Sequence, residues 1–412
     1  MVFRSVRDVV AWRLCVGCGA CAYACPEANI GLVDIENDGI RPRIKVETCK
    51  SCGECVKVCP GVGVRQQTST TTIRELAEGW GAILEAWEGY GADPDVRFNG
   101  SSGGLASALA LYCLEKGGMS GVLHTGPDPA QAQRNKTHFS QSRTELLERT
   151  GSRYAPASPC AGIGRIEEAP RPSVMVGKGC DVEAVRKVQA LRPELGAKVG
   201  VAIGIFCAGT PSTQATLDLL TRLGVDPGGV AAIRYRGKGW PGNFTVTMNN
   251  GRPPVSIPYM DAWSFLQAYR PHRCYLCPDA TAELADISCG DPWYREVKED
   301  PQGFSLVLVR TERGREIVHS AMEAGYVVLG KREPDVLVAS QRGMLEKRGA
   351  IWGRMLAMKL FGIPTPRYEG FHLYENWKCS PAREKARTFL GTVRRIVTRR
   401  YWKRALVTPL TR

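Results

Sequence analysis

SVMVGKGCDVEAVRKVQAL, residues 173–191, opens with a short apolar run, turns on two glycines, and continues with apolar residues returning every three or four positions. The same order recurs at once: KVGVAIGIFCAGTPS, residues 198–212, precedes TQATLDLLTRL, residues 213–223. Strands alternating with helices predict an α/β domain on a largely parallel sheet. Ligands in such folds gather at the loops beyond the strand ends, where GKGC and FCAG fall, so Cys180 and Cys207 stand where chemistry is expected.

Working outward, SSGGLASALALYCLEKGG, residues 101–118, reads as a helix with apolar Leu105, Leu109, Tyr112 and Cys113, ending at Gly117 and Gly118. GVLHTG, residues 121–126, reads as a buried strand. Downstream, AIRYRGKGWPGNFTVTMNNGRPPVSIPY, residues 232–259, carries short β-type runs broken by Gly, Asn and Pro, with NNG as a hairpin turn. It is read as a β insertion. The segment 380–406 sets Arg383, Lys385, Arg387, Arg394, Arg395, Arg399, Arg400, Lys403 and Arg404 around Phe389, Val393, Ile396 and Val397, predicting a basic amphipathic helix.

At the other end, LCVGCGACAYACPEANI, residues 14–30, places Cys15, Cys18, Cys21 and Cys25 before Pro26, and Cys49, Cys52, Cys55 and Cys59 repeat that spacing before Pro60. The pattern is the bacterial two-cluster ferredoxin run, in which the fourth cysteine of each copy ligates the other 4Fe-4S cluster. Cys15, Cys18, Cys21 and Cys59 are therefore assigned to one cluster, and Cys49, Cys52, Cys55 and Cys25 to the second. The loops must fold around a cube, and Gly17, Gly19 and Gly53 permit the dihedrals this needs. Structural zinc uses separated C-x2-C pairs, which suits these four-cysteine runs less well.

The 412 residues exceed one typical domain. The expected plan is an α+β ferredoxin-like two-cluster module (1–65), a connector (66–98), an α/β flavin and iron-sulfur domain with a β insertion (99–365), and a basic helical tail (366–412). The start, MVFRSVRDVVAWRLC, lacks a secretory pattern, and no run of roughly 18 apolar residues occurs. The 16 cysteines therefore point to a cytoplasmic, reducing setting and to metal ligation rather than disulfides. The net charge of +14 suits an acidic partner, an anionic cofactor or a membrane surface. Nucleic acid is not expected, because the basic residues concentrate in the tail without a recognition module; peripheral contact of that tail with the inner membrane surface is the better-suited reading of the two, beside a solvated helix or a subunit contact, which are commoner.

Five segments together resemble one family: VMVGKGCDVEAVRKV, VGVAIGIFCAGTPS, HRCYLCPDATAELADISCGDPW, FNGSSGGLASALALYCLEKGGMSGVL and RTGSRYA. They are similar to the coenzyme F420 hydrogenase/dehydrogenase beta-subunit family, iron-sulfur flavoproteins that include formate dehydrogenase beta subunits and 7-hydroxymethyl chlorophyll a reductase. The similarity runs from about residue 10 to about residue 330. It implies an FAD and a third, inner 4Fe-4S cluster on Cys180, Cys207, Cys274 and Cys277, with Cys289 or Cys160 as rivals for one place and Gly179 where the family has proline. Cys113 is read as core and Cys379 as incidental.

NGSSGG at a helix start is by itself a weak anion site. Within the resemblance, Asn99, Ser101, Ser102, Gly103 and Gly104 are assigned to FAD, with Ser152 and Tyr154 behind them. Lys178 is expected to neutralise a phosphate or the reduced flavin, and Lys178 and Asp291 are the candidates for positioning and protonation. The activity implied is an iron-sulfur flavin-dependent oxidoreductase working between a ferredoxin-like or hydrogenase/dehydrogenase-like partner and an organic two-electron substrate, coenzyme F420 or another reducible molecule. The alternative is a non-catalytic electron-relay subunit of a larger redox complex. An oligomer or complex is expected in either case.

Overall fold

The computed structural model describes residues 3–66, 73, 76–296 and 302–406. The first cysteine run threads between helix α1 (Val6–Ala11) and helix α2 (Ala20–Ala24), and the second leads into helix α3 (Glu54–Lys57). Between them strands β1 (Ile30–Ile35) and β2 (Gly39–Ile44) pair antiparallel, and β3 (Gly63–Arg65) closes the module. Gly17, Gly19 and Gly53 have φ of 77°, 88° and 80°, a region costly for residues with a Cβ. At Gly17 a Cβ would also lie 2.8 Å from the Ile40 carbonyl oxygen.

The main sheet comprises β4 (Glu85–Gly91), β5 (Val122–Asp128), β6 (Gln131–Ser140), β7 (Ser173–Lys178) and β8 (Val199–Ile205), joined after an insertion by β12 (Ile287–Gly290), β13 (Ser305–Val309) and β14 (Val327–Lys331). Its order is β14-β4-β13-β12-β8-β7-β5-β6. The adjacent pairs β12-β8, β8-β7 and β7-β5 are parallel, whereas β6 and the β13-β4-β14 side pair antiparallel. The sheet is thus mixed: parallel at its centre, where crossover helices connect the strands, and antiparallel on both flanks. VAIGI of β8 and SLVLV of β13 are near-continuous apolar runs because helices cover both faces.

Helix α4 (Leu105–Glu115) is apolar on all sides and lies in the core formed with Val122, Val174, Val201, Ile287 and Val307. Helix α5 (Gly179–Leu191) covers the other face, where Ala184, Val185 and Val188 meet Met175 and Val199 of the sheet and also Ala20, Ala24 and Val58 of the cysteine-rich module. Module and sheet therefore share a core. Helix α6 (Thr213–Arg222) leads to the inserted sheet β9 (Val230–Arg234), β10 (Asn243–Met248) and β11 (Val255–Pro258), all antiparallel, with NNG in the β10-β11 turn as expected.

Two segments sit differently from the expected plan. The connector expected at 66–98 contributes β4 to the interior of the main sheet, between β14 and β13. The segment expected as a tail is packed down: its strand β15 (Arg367–Glu369) pairs parallel with β3, and its helix α7 (Ala382–Arg399) buries Thr392 and Ile396. Ile396 joins Val6, Val9, Leu14, Ile44, Leu276 and Met358 in one apolar cluster. Beyond it Tyr401 lies against His272, Arg13 donates to the Lys403 carbonyl, and the Ala405 amide donates to the Ala11 carbonyl. Val397 is exposed, so only part of the expected apolar stripe is covered, and Leu390, outside that stripe, is exposed as well. Among the described residues no helix is long and apolar enough to cross a membrane.

Candidate iron-sulfur and ligand site

The eight N-terminal cysteines separate spatially into two sets. Cys15, Cys18, Cys21 and Cys59 line one small cavity together with Val6, Val9, Leu32 and Pro42. Burial, then the neighbouring thiols Cys18, Cys15 and Cys59, push the Cys21 thiol well up. The Cys55 thiol instead lies among Cys52, Cys49 and Cys25, so Cys25 and Cys59 each sit with the other copy's triplet. Cys49 and Cys52 are exposed, whereas the first set is buried. Four thiols that disfavour one another's ionisation in an apolar pocket form a donor set that a multivalent iron cluster would satisfy; the residues fit the group.

A third gathering forms at the ends of the parallel strands. Cys180 starts α5, Cys207 follows β8, and Cys274 and Cys277 lie on the turn around His272–Leu276. Burial raises the Cys180 thiol, with Asp181, Cys277 and Cys207 adding to it, and Cys207 is raised by burial and then by Cys274. The Cys277 thiol donates to the Asp279 carbonyl at 3.2 Å. Cys289 stands apart on β12, its thiol pushed up to about 12 by burial with no neighbouring thiol contributing. Cys113 is buried within α4 and Cys379 is exposed.

Beside this gathering opens a cavity of about 540 Å³, within the range of small-molecule and cofactor sites. Gly100, Ser101, Ser102 and Gly104 line one side, at the start of α4; Ser152 and Tyr154 line another; Lys178, Cys207 and Asp291 complete it. Two residues of NGSSGG turn elsewhere. The Asn99 amide donates to the Asp95 carbonyl at 2.9 Å, and the Gly103 amide donates to the Ser305 hydroxyl at 2.8 Å with the sheet backbone packed against its Cα. Gly104 caps α4 with φ of 72°, and Gly104, Leu105 and Ala106 line the cavity, so the helix start borders it, a place that favours a phosphate.

The polar residues on the wall are already engaged. Lys178 Nζ lies 2.6 Å from Asp181 Oδ2; burial opposes its charge, but Asp181 and Cys180 outweigh burial and hold it protonated. Asp291 accepts from Arg236 through both oxygens, at 2.9 and 2.7 Å, and from Trp240 Nε1 at 2.9 Å. Its carboxylate is consumed in holding a buried arginine, which argues for a positioning part rather than proton transfer.

Apart from Tyr154, sequence reasoning missed the aromatic side of the cavity: Tyr259 and Trp293 lie parallel at 6.2 Å, Tyr154 packs on Trp263 at 5.0 Å, and the Arg236 guanidinium stands 4.5 Å over Tyr259. His124, 5% exposed, also lines it, with Nε2 2.8 Å from the Ser140 hydroxyl. These residues come from separate elements, and only a turn-rich insertion carrying several aromatics hinted at them.

Residues 172–335 match the family model for the C terminus of the coenzyme F420 hydrogenase/dehydrogenase beta subunit, and residues 86–163 match the model for the N terminus of that same protein. Residues 14–63 match the 4Fe-4S dicluster domain. The chain is 28% identical over 244 residues to the coenzyme F420 hydrogenase subunit beta of Methanosarcina barkeri, covering 57% of this chain and 77% of that one. It is 26% identical over 291 residues to the protein of the same name from Methanococcus voltae, covering 66% and 94%. The coenzyme F420-dependent sulfite reductase of Methanocaldococcus jannaschii is 25% identical over 327 residues, covering 76% of this chain and 47% of that protein. A chain of the F420-reducing NiFe hydrogenase complex from Methanosarcina barkeri has the same fold, with a TM-score of 0.50 at 23% identity over 65% of this chain and 92% of that one.

Proposed function

Because this chain belongs to the coenzyme F420 hydrogenase/dehydrogenase beta-subunit family, we propose that it is an iron-sulfur flavoprotein oxidoreductase subunit, exchanging electrons between a one-electron partner and an organic two-electron substrate, coenzyme F420 or a molecule of similar redox chemistry. The observation that carries the reading is the succession of sites: exposed Cys49 and Cys52, the buried pocket of Cys15, Cys18, Cys21 and Cys59, the gathering at Cys180, and a 540 Å³ cavity whose wall includes Cys207.

Three 4Fe-4S clusters and one FAD bound at these places would supply one-electron steps at the cysteines and the change to two-electron chemistry in the cavity. The first two cluster sites would use the ferredoxin cysteines as paired above, and the third Cys180, Cys207, Cys274 and Cys277. In the cavity, the Ser101 hydroxyl and the amides at Gly104 would receive the pyrophosphate, whereas the Ser102 hydroxyl donates to the Phe304 carbonyl. Lys178 paired with Asp181 and Arg236 paired with Asp291 place two ion pairs on the wall. Tyr154, Tyr259 and Trp293 offer flat apolar faces to a planar ring and exclude water from it.

The relatives named as hydrogenase and formate dehydrogenase beta subunits are parts of larger enzymes, and a partner subunit is the proposed electron source or sink here. Iron, sulfide and flavin analysis of anaerobically purified protein tests the reading, with about twelve irons and one FAD per chain expected. The bound flavin should then be reduced or reoxidised when reduced coenzyme F420, NADH and reduced ferredoxin are offered in turn. Clusters without flavin would turn the conclusion to an electron-relay subunit. Zinc without sulfide would remove it.

A further inference from the structure

A buried guanidinium needs an opposite charge or a full set of acceptors, and most of the buried arginines here have one or the other. Arg41 pairs with Asp38, Arg236 with Asp291 and Arg348 with Glu283, while Arg310 donates to Ser288, Trp80, Ala82 and Thr281. Arg273 differs. It is 1% exposed, yet its Nε and Nη1 have no hydrogen-bond partner, and among the described residues no carboxylate forms an ion pair with it. Its Nη2 donates to the Pro60 carbonyl at 3.2 Å, and its guanidinium lies 5.5 Å from the centre of the Tyr368 ring. Tyr368 in turn donates to the Leu276 carbonyl at 2.7 Å. Glu183 is the acid that faces this region, fully buried, and neither of its oxygens has a partner. Pro60 follows Cys59, assigned to the buried ferredoxin cluster, and Arg273 precedes Cys274, assigned to the inner one. One side chain therefore reaches from one cluster loop to the other.

We propose that Arg273 is a positioning residue for electron transfer: its guanidinium ties the turn of Cys274 and Cys277 to the Cys59 loop, and its charge is the counter-ion that the two clusters share. The inference rests on the cluster assignments above. A 4Fe-4S cube held by four thiolates is net negative and gains one more negative charge on reduction, and its potential follows the charges around it. A fixed cation in a water-poor interior acts strongly on that charge, and an arginine does not escape burial by losing its proton. Arg273 therefore favours the reduced state of the cluster on either side. In the transfer one electron leaves the reduced ferredoxin cluster and enters the oxidised inner cluster; no covalent bond forms or breaks, and no proton moves.

The test compares wild type, Arg273→Gln and Arg273→Lys by iron and sulfide content and by EPR-monitored redox titration, with the two buried clusters' signals assigned by their loss in Cys15→Ser and in Cys277→Ser. Arg273→Gln, which removes the charge, should keep the wild-type iron content and move both clusters to more negative potentials, changing the ratio of reduced to oxidised cluster at a given potential about tenfold, or 59 mV for one electron. Arg273→Lys, which keeps the charge, should stay close to wild type. The cluster of Cys25, Cys49, Cys52 and Cys55, two of whose ligands are open to solvent, should hold its potential in both variants. Unchanged potentials in Arg273→Gln would overturn the proposal, as would an equal shift in Arg273→Lys, which would make the effect one of packing. Should Arg273→Gln fail to hold iron, Arg273→Lys must hold the wild-type amount, and loss from both would overturn the proposal too. A wild-type chain lacking either buried cluster would instead remove the cluster assignments on which the proposal stands.

Discussion

At the scale of single residues, the buried pair of Arg236 and Asp291 governs one wall of the cavity. Arg236 is 2% exposed and finds its compensating charge in Asp291 alone among the described residues. Asp291→Ala leaves that guanidinium buried without a counter-charge and should cost about 3–5 kcal/mol of stability, measured by urea denaturation. The double variant Arg236→Met/Asp291→Leu should recover much of the loss, because removing both charges also removes the desolvation penalty. A second prediction concerns His124, whose ionisation is lowered from 6.5 to about 4, chiefly by burial. A depressed histidine contributes stability above its unfolded value that is lost as pH falls, so the chain should weaken by about 3 kcal/mol between pH 6.5 and 4. His124→Gln should flatten that part of the profile, and comparing the two proteins cancels the acid lability common to both. The ferredoxin cysteines were legible because their spacing is local: a few residues of loop determine where each sulfur can reach. The Arg236–Asp291 pair was not, because 55 residues separate its members and the sequence shows a charge without its partner.

At the scale of elements, apolar runs announced β7 and β8 because both faces of a central parallel strand are covered. EAWEGYG of β4 was read as part of a connector, since two glycines and two glutamates dilute its apolar signal. Glu88 pairs there with Arg295, a contact invisible from the segment alone. The amphipathic pattern of α7 likewise announced an apolar face without saying what covers it. Thr392 and Ile396 turn it toward α1 and the long helix Arg342–Leu360. Ile396→Ala should therefore cost about 2–5 kcal/mol and raise hydrogen exchange in residues 6–14 as well as in α7, read by mass spectrometry. Exchange confined to α7 would mean that the helix does not brace the N-terminal module.

At the scale of the whole molecule, the net charge is +14, although beside the exposed Cys49 and Cys52 the cations Lys50 and Lys57 are paired with Glu27 and Glu54. Reduction by an acidic protein carrier should slow steeply as ionic strength rises, while reduction by an uncharged dye should not; stopped-flow rates across a salt series decide this. The overall α/β plan could be read from the alternation of patterns, but the common core of module and sheet could not, because Ala20, Ala24 and Val58 carry no mark of what they will touch. The strap running back over the first helix also sets an order of events during synthesis. Arg13 waits for Lys403, 390 positions later, so the N-terminal module leaves the ribosome long before the segment that covers the end of its first helix exists. The first helix therefore meets its last packing partner only after the main sheet has been made, while Cys49 and Cys52 stay open to solvent in the finished fold.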